Sequence, residues 1–177
     1  MSSLQKFHRR TNNAAAVVAV IGSEAPVSGA GYWLGTAGDG VSKMYVAPKS
    51  TEVQRAWGSN GTTRNTTSTT NGLANTNTLV SFGTNAHPAA GYCKYLTTGG
   101  YNTWYLPAKD ELMTLYSNKS KTPFATANSF VGQGDYYRSS TESTGSDAWI
   151  QSLANGGQHS NNKSGSYYVR ATRRSTV

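Results

Sequence analysis

The hydrophobic positions of the N-terminal half occur in short runs, and most of these runs predict strands. The β-branched run at 14–22 predicts one strand. Two more are predicted at 32–34 and 43–47, on either side of a Gly-Asp-Gly turn sequence at 38–40. Residues 1–13 are polar and basic without periodicity, and they predict an arm before the first strand.

The C-terminal part of the chain repeats this pattern of short strands and turns. Strands are predicted at 136–141, 148–153 and 166–171, with a glycine-rich turn between the last two. In the middle strand, Trp149 and Leu153 are expected on the same face.

Helical spacing is found only in the middle of the chain. Ala89, Cys93 and Leu96 fall on one face of a helix predicted over 85–96. A shorter helical turn is predicted over 50–57, with Ser or Thr as its cap.

A second helix is predicted after Pro107. Leu112 and Leu115 form its apolar stripe, and Asp110 and Glu111 lie in its first turn, where carboxylates interact favourably with the helix dipole.

Two helices followed by a small antiparallel sheet indicate an α+β fold. The polar segment 58–72 predicts a long surface loop, and loops of this length usually have a function. The predicted organisation is an N-terminal arm and strand for assembly at 1–28, followed by one compact domain at 29–177.

Composition limits the classes of function. Of the 177 residues, 36% are hydrophobic and 14% are charged, which is typical of a turn-rich protein. An aromatic content of 11% argues against disorder. The single cysteine, Cys93, cannot form an intrachain disulfide, and it favours a reducing compartment such as a bacterial cytoplasm.

The net charge of +8 includes basic clusters near both termini. Between these clusters the basic residues are scattered singly, so nucleic-acid binding is not expected and a basic arm that meets an acidic partner is favoured. The apolar run at 14–21 is too short to cross a bilayer, so membrane insertion is not expected.

No cluster in the sequence predicts catalysis, a metal site or a cofactor. His8, His87 and His159 are far apart, lack the spacing of metal ligands and are expected at the surface. The hydroxyl residues at 139–141 have no histidine and orienting acid nearby, so a hydroxyl network inside the fold is expected. The chain is therefore not expected to be an enzyme.

Three segments follow one another in the order of a known signature. Residues 104–112 read WYLPAKDEL, 137–142 read YRSSTE and 169–173 read VRATR. They resemble the W-x-L-P-(S/T/A)-x-x-E-L, Y-W-S-S-T-E and V-R-x-V-R patterns of the DUF1566 family, also called the Lcl C-terminal domain family. The resemblance extends over about residues 30–174.

This resemblance implies a C-type-lectin-like fold with two helices, small twisted antiparallel sheets and long irregular loops. Such domains occur in bacterial adhesins and in structural proteins of tailed phages. The residues that match the signature are expected to have structural roles: Trp104, Leu106, Pro107, Glu111, Ser139, Ser140, Thr141, Trp149, Gly156, Arg170 and Arg173.

The chain departs from its relatives in two ways. Arg138 replaces the usual aromatic residue of the second segment, and Cys93 has no second cysteine beside it, so the chemistry of oxidase relatives is not implied. Arg170 is hypothesised to pair with Glu111 or Glu142.

Two polar loops, 58–78 and 154–165, are candidates for ligand binding, although their polar residues serve equally well to keep a loop soluble. The candidate ligand-binding residues are Asn60, Arg64, Asn65, Gln158, His159, Asn161 and Asn162. The candidate assembly residues of the arm are Lys6, Arg9, Arg10, Val17, Val18 and Val20.

Two functions are compatible with these observations. Because one domain fills nearly the whole chain and no signal peptide is apparent, the first is a virion structural protein of a tailed phage, assembled in the bacterial host cytoplasm. It would act as a capsid- or tail-associated decoration module, with other virion proteins and copies of itself as partners. The alternative is a receptor-binding adhesin that recognises a host glycan or surface protein.

Overall fold

The computed structural model describes residues 19–127, 129–130 and 136–175. Within them the backbone forms an α+β fold, with short 3₁₀ turns at Lys49–Thr51 and Thr98–Gly100. The helices are α1 (Gly72–Ser81), α2 (Pro88–Lys94), α3 (Lys109–Asn118) and α4 (Phe124–Ala127). The strands are β1 (Tyr32–Thr36), β2 (Lys43–Val46), β3 (Val53–Ala56), β4 (Tyr136–Glu142), β5 (Asp147–Ser152), β6 (Gln158–Asn162), β7 (Ser166–Val169) and β8 (Thr172–Arg174).

The strands form two sheets that share the C-terminal segment. One sheet has the order β1-β2-β8 and is antiparallel. The other has the order β3-β7-β4-β5-β6, and its β4–β7 pair is parallel, so the expectation of antiparallel pairing alone is corrected there. Arg170 and Ala171 connect β7 to β8 and therefore link the two sheets.

Two apolar clusters lie between the helices and the sheets. The first contains Trp57, Leu79 and Trp104, which are fully buried. The second contains Leu112 and Leu115 of α3 and packs them against the sheet residues of β1, β2 and β4. Complete burial of one large apolar side chain contributes about 1.5–3 kcal/mol, so these clusters are the main source of stability.

The predicted helices at 85–96 and after Pro107 are confirmed as α2 and α3. Helix α2 is shorter than predicted because Pro88 occupies its first turn, where the missing N–H costs nothing. Strands predicted at 32–34, 43–47, 136–141 and 148–153 are also confirmed.

The helical turn predicted over 50–57 is wrong. The chain makes a single 3₁₀ turn and continues as β3, in which Val53 pairs with Val169 of β7. This pairing joins residues more than a hundred positions apart, and such a partner cannot be inferred from local spacing.

Helices α1 and α4 were not expected, so the described residues contain four α-helices rather than two. In α1 the buried positions include Asn75 and Thr76, so the sequence of this helix lacks a continuous apolar stripe with helical spacing. The helix begins at Gly72 and is capped by Asn71, whose side chain accepts a hydrogen bond from the Ala74 N–H.

The surface loop predicted over 58–72 is confirmed, since residues 58–71 have no regular structure and α1 begins at Gly72. Both candidate ligand-binding loops, 58–78 and 154–165, nevertheless include regular structure, and the first continues into α1. The second contains β6, an edge strand paired with β5. The single strand predicted at 166–171 is divided between β7 and β8.

Most of the predicted N-terminal strand and the arm residues Lys6, Arg9, Arg10, Val17 and Val18 lie outside the described residues. Val20 is described, is exposed and belongs to no strand. From Gly22 onward the segment packs on the domain, since the Gly22 N–H donates to the Trp33 carbonyl (2.7 Å) and Glu24 forms a bridge with Tyr32.

Candidate functional site

A buried ion pair holds the first candidate loop. Lys163 Nζ and Glu142 Oε1 are 2.5 Å apart, and both side chains are almost fully shielded from water. Lys163 also donates to the Thr62 and Gly145 carbonyls at 2.8 Å. The Glu142 carboxylate accepts the N–H groups of Arg64 and Asn65. The loop backbone is therefore fixed to β4 through charge-assisted hydrogen bonds.

The side chain of Arg64 points back to the domain instead of standing free for a ligand. Its Nε–H donates to His87 Nε2 at 3.0 Å, and its guanidinium lies 4.3 Å from the centre of the Phe82 ring. Of the candidate residues in this loop, Asn60 and Asn65 are exposed.

His87 is buried, so its predicted surface position is wrong. Its Nδ1 lies 3.1 Å from the Trp57 carbonyl and its Nε2 accepts from Arg64, a pattern that fits the neutral ring with the proton on Nδ1. Burial lowers the pKa of His87 below its ordinary value.

A network of hydroxyl groups connects β4 to its neighbours. Thr141 Oγ1 donates to the Ser68 carbonyl (2.9 Å) and accepts from the Lys109 N–H (3.0 Å). Ser140 Oγ accepts from Asn75 Nδ2, and Ser139 Oγ accepts from the Thr141 N–H. These three residues are buried, and their contacts are structural.

Glu111 connects three parts of the chain. Its Oε2 accepts the N–H groups of Gly72 (3.1 Å) and Ala108 (2.9 Å). Its Oε1 accepts from the Tyr105 hydroxyl (2.9 Å) and from Arg174 (3.2 Å). Burial and the adjacent Glu111 carboxylate raise the pKa of Tyr105.

The hypothesis that Arg170 pairs with Glu111 or Glu142 is wrong. Arg170 Nη1 lies 3.1 Å from Glu52 Oε2, and its Nε donates to the Ala47 carbonyl. Glu111 and Glu142 are instead engaged by Arg174 and Lys163. The spacing in the sequence could not reveal Glu52, because β3 was not recognised as the neighbour of β7.

Arg138 occupies the position of the usual aromatic residue and is completely buried. Its Nη2 donates to the carbonyls of Asn162 (2.9 Å) and Gly165 (2.8 Å), and its guanidinium lies 4.5 Å from the centre of the Tyr167 ring. Burial lowers the pKa of Arg138 to about 10. The Arg138 side chain thus takes the place of the usual aromatic ring, and its two hydrogen bonds stabilise the turn between β6 and β7.

The remaining signature residues differ in their surroundings. Trp104, Leu106 and Pro107 are buried. Trp149 is only half-buried, and Lys109 Nζ lies 4.1 Å from the centre of its ring. Leu153 follows the last residue of β5 and is buried.

Gly156 has a φ of 82°, and a Cβ there would lie 2.7 Å from the Tyr116 ring. Only glycine fits this turn without displacing that ring.

The candidate residues of the second loop lie on strand β6. Gln158 donates to the Lys109 carbonyl and to Gln151, and Asn162 accepts from Ser164. His159 is exposed, and Asn161 is half-buried.

A cleft of about 230 Å³ lies beside β8 and is built around Arg173. Arg173 is the direct cross-strand partner of Tyr45 on β2, so both side chains project from the same face of the sheet. The Arg173 guanidinium carbon is 4.3 Å from the Tyr45 ring centre and 3.8 Å from the Tyr101 ring centre. Its Nε donates to the Ala30 carbonyl at 2.8 Å. Burial lowers the pKa of Arg173.

Residues that carry hydroxyl groups complete this cleft, which we call the Arg173 cleft. It is lined by Ala25, Pro26, Tyr45, Tyr101, Thr103, Arg173, Arg174 and Ser175. Arg174 points to the opposite face of β8, where it pairs with Glu111 and, at 3.5 Å, with Asp39. Arg173 has no carboxylate partner among the residues that the structure describes.

A second and more open cleft lies between β3 and α2. It has a volume of about 380 Å³ and is lined by Arg55, Thr84, Asn85, Pro88, Gly91, Tyr92 and Tyr95. Tyr95 is 70% exposed, and the Arg55 guanidinium lies over the Tyr92 ring. Tyrosine and arginine are enriched at protein interfaces.

Within the described part of the chain, no three His, Cys, Asp or Glu side chains come together as metal ligands. None of the described helices combines the length and the apolar character needed to cross a bilayer.

The sequence profile of the Lcl C-terminal domain family matches residues 49–173, which is more than half of the chain. The chain belongs to the Lcl C-terminal domain family. No curated protein matches it at a significant level. The family match begins at the 3₁₀ turn before β3 and ends on β8, so it includes Tyr101 and Arg173 of the Arg173 cleft.

Sequence reasoning on this Lcl C-terminal domain identified Arg173 only as a signature residue, and it missed the residues around it. Tyr45 and Tyr101 come from separate segments that meet because β2 pairs with β8 and because Tyr105 forms a bridge with Thr172. Non-local pairings of this kind leave no local signal. The tyrosines of the second cleft also went unnoticed, although Tyr95 sits outside the apolar stripe of α2 and could have been recognised as exposed.

Proposed function

We propose that this protein is a non-catalytic binding module of a tailed-phage virion, where it decorates the capsid or the tail. The observation that carries the proposal is that, in the described residues, the buried groups that could serve in catalysis are engaged in structural hydrogen bonds. The buried hydroxyl, carboxylate and amine groups of β4 and its neighbours are joined to backbone and to one another as parts of the scaffold.

Catalysis by these groups is disfavoured by their geometry. A nucleophile needs a base within hydrogen-bond reach. His87 is directed to the Trp57 carbonyl and to Arg64 rather than to Ser139 or Ser140. Cys93 is completely buried, and burial raises the pKa of its thiol, which suppresses the thiolate.

A rigid scaffold with open clefts suits display on a particle. Two almost fully buried ion pairs, Lys163–Glu142 and Arg170–Glu52, fix loops and strands that are distant in sequence. Family membership supports the virion role, since the resemblance described above connects such domains with tailed phages.

The partners proposed are other virion proteins and further copies of the chain, with attachment through the basic residues of the N-terminal arm. Deletion of residues 1–18 tests the attachment, because Gly22 already bonds to the domain through Trp33 and Phe124. The shortened chain is expected to unfold at the temperature of the full chain and to be absent from purified particles. Normal incorporation would contradict attachment through the arm.

The occurrence of the protein in particles is tested by quantitative mass spectrometry of density-purified virions from the strain that carries the gene. Many copies per particle are expected. Absence from particles that contain every other structural protein would contradict the virion role.

A second candidate function is a receptor-binding adhesin for a host glycan or surface protein. It is favoured by the two clefts, which present tyrosine, arginine and hydroxyl groups at the surface. Saturable binding to host cells that is lost when a cleft is altered would support this role. Equal binding of the altered and unaltered chains would contradict it.

A further inference from the structure

We infer that the outer edge of strand β6 is an interface between two copies of this chain. Each copy adds its β6 to that of the other in antiparallel fashion, so that two five-stranded sheets join into one. The pairing would form in the isolated chain whether or not the chain belongs to a particle, so it goes beyond the proposed function.

The hydrogen bonds between β5 and β6 show which backbone groups face the outer edge. The Ser152 N–H donates to the Gly157 carbonyl (2.8 Å), and the Lys163 N–H donates to the Ser146 carbonyl (2.9 Å). In an antiparallel ladder, hydrogen-bonded pairs alternate with pairs that are not bonded. Since Gly157 and Lys163 bond to the β5 side, the odd-numbered residues between them do so too. The even-numbered residues of β6 therefore direct their N–H and C=O groups outward.

Two of these outward residues have free backbone groups. Asn162 is already engaged, because its N–H donates to Asn161 Oδ1 and its carbonyl accepts from Arg138. The backbone N–H and C=O groups of Gln158 and Ser160 have no partner among residues 19–127, 129–130 and 136–175. The edge of β6 thus offers two donors and two acceptors to another strand.

The other strands at the edges of the two sheets are covered or blocked. Residues 22–24 bond to Trp33 along the outer edge of β1, and Tyr105 forms a bridge with β8. The edge of β3 carries Arg55, whose guanidinium donates to the Gln54 carbonyl at 2.8 Å. Charged side chains of this kind discourage pairing at a sheet edge.

Strand β6 has none of these protections in the part of the chain that the structure describes. Its sequence, QHSNN, contains no charged residue and no proline, and its pairing with β5 runs through all five residues without a bulge. His159 and Ser160 are exposed. A regular, uncharged edge without a covering segment is a template for another strand.

The free groups of β6 are complementary to a second β6. When the two-fold axis passes through His159, Gln158 of one chain lies opposite the partner's Ser160. These residues form the hydrogen-bonded pairs of the new ladder, and the pairing uses both free donors and both free acceptors of each chain. The engaged backbone groups of Asn162 are not needed.

The charge of the strand also favours a second copy over a charged partner. The chain carries a net charge of +8, but β6 contains no Asp, Glu, Lys or Arg, so self-pairing brings no such like charges together in the ladder. Its Gln, Ser and Asn side chains both donate and accept hydrogen bonds, which makes identical strands compatible. An acidic or basic peptide would find no opposite charge on β6.

The first test is sedimentation equilibrium of the full chain, which gives the dissociation constant of a dimer. Ser160→Pro is expected to raise that constant at least about ten-fold, because proline lacks the outward N–H and crowds the approaching strand. Ser160→Ala keeps the N–H and is the matched control, with dimerisation as in the unaltered chain. A chain that stays monomeric at every concentration would overturn the proposal and leave the edge to another kind of partner. Equal dimerisation of the Pro and Ala variants would also overturn it.

Disulfide trapping tests the register and does not depend on a proline in the strand. His159→Cys would lie opposite its own copy, with about 4.5 Å between the two Cα atoms, a separation that a disulfide spans. In this register Ser160→Cys would be about 8 Å from its copy, which is too far for a disulfide. The native Cys93 is buried and contributes little background.

Mild oxidation followed by non-reducing electrophoresis is expected to convert the His159→Cys chain into a covalent dimer and to leave the Ser160→Cys chain largely monomeric. Both positions are exposed, so access of the oxidant is matched. Equal trapping at the two positions, or faster trapping at position 160, would overturn the pairing.

Discussion

Glu142 and Lys163 form an ion pair sealed inside the protein, with 2.5 Å between Oε1 and Nζ. The pair joins the end of β4 to the turn between β6 and β7. Both side chains also form hydrogen bonds with the backbone of the loop at 58–71, Glu142 with the Arg64 N–H and Lys163 with the Thr62 carbonyl. Loss of one partner would leave the other charge buried without compensation, which typically costs about 3–5 kcal/mol.

Lys163→Met is therefore expected to lower the free energy of unfolding by about 3–5 kcal/mol, measured by urea denaturation. Lys109→Met is the matched control, because Lys109 contacts the Trp149 ring at the surface, and a loss within about 1 kcal/mol is expected. A Lys163 variant as stable as the Lys109 variant would show that the buried pair does not hold the loop.

The partner of Arg170 can be identified by a double-mutant cycle. Arg170→Met and Glu52→Gln are expected to couple by more than about 1 kcal/mol because the two side chains share an ion pair. Arg170→Met and Glu142→Gln are expected to add within about 0.5 kcal/mol. The opposite result, coupling to Glu142 and additivity with Glu52, would contradict the pairing of β3 with β7.

Gly72 is the first residue of α1 and lies against the Glu111 carboxylate. A Cβ at Gly72 would be 2.4 Å from Glu111 Oε2, whereas a Cβ at Gly145 would meet nothing closer than 3.5 Å. Gly72→Ala is expected to lower the free energy of unfolding by about 1–3 kcal/mol. Gly145→Ala should change it by less than about 0.5 kcal/mol. Thermal unfolding of both variants provides the comparison, and equal stability would contradict the close approach.

The buried His87 makes stability depend on pH. Its pKa in the folded protein is below the ordinary value of 6.5, so the unfolded chain takes up a proton that the folded chain resists. This contribution to stability is complete above pH 6.5 and is lost as the pH falls from there toward the folded pKa.

Urea denaturation between about pH 7.5 and 5.5 measures this effect. His87→Gln is expected to flatten the decline, whereas His159→Gln, at an exposed position of β6, is expected to retain it. A decline that survives in the His87 variant would have to come from another group.

The sequence predicted the elements whose signals are local. Helix α3 follows Pro107 with an apolar stripe at Leu112 and Leu115, and β1 and β2 flank a glycine turn. Helix α1 was missed because its buried face carries Asn75 and Thr76, which are satisfied by the Ser68 and Leu106 carbonyls rather than by apolar packing.

The candidate site was harder to predict than the fold. Arg173 was recognised within the signature, but its neighbours Tyr45 and Tyr101 depend on pairing between strands that are far apart in sequence. Conversely, Arg64 was expected at a binding surface because its loop is polar, and its side chain in fact stacks on Phe82 and bonds to His87. Polarity identifies a loop but does not reveal where its side chains point.

The proposed display on a virion is tested most directly by electron cryomicroscopy of purified particles, comparing those with the full chain and those with the chain deleted. The account predicts extra density of one domain per copy on the outer surface of the capsid or tail, with the Arg173 cleft facing solvent. Particles without any such difference, or density confined to the interior, would contradict it.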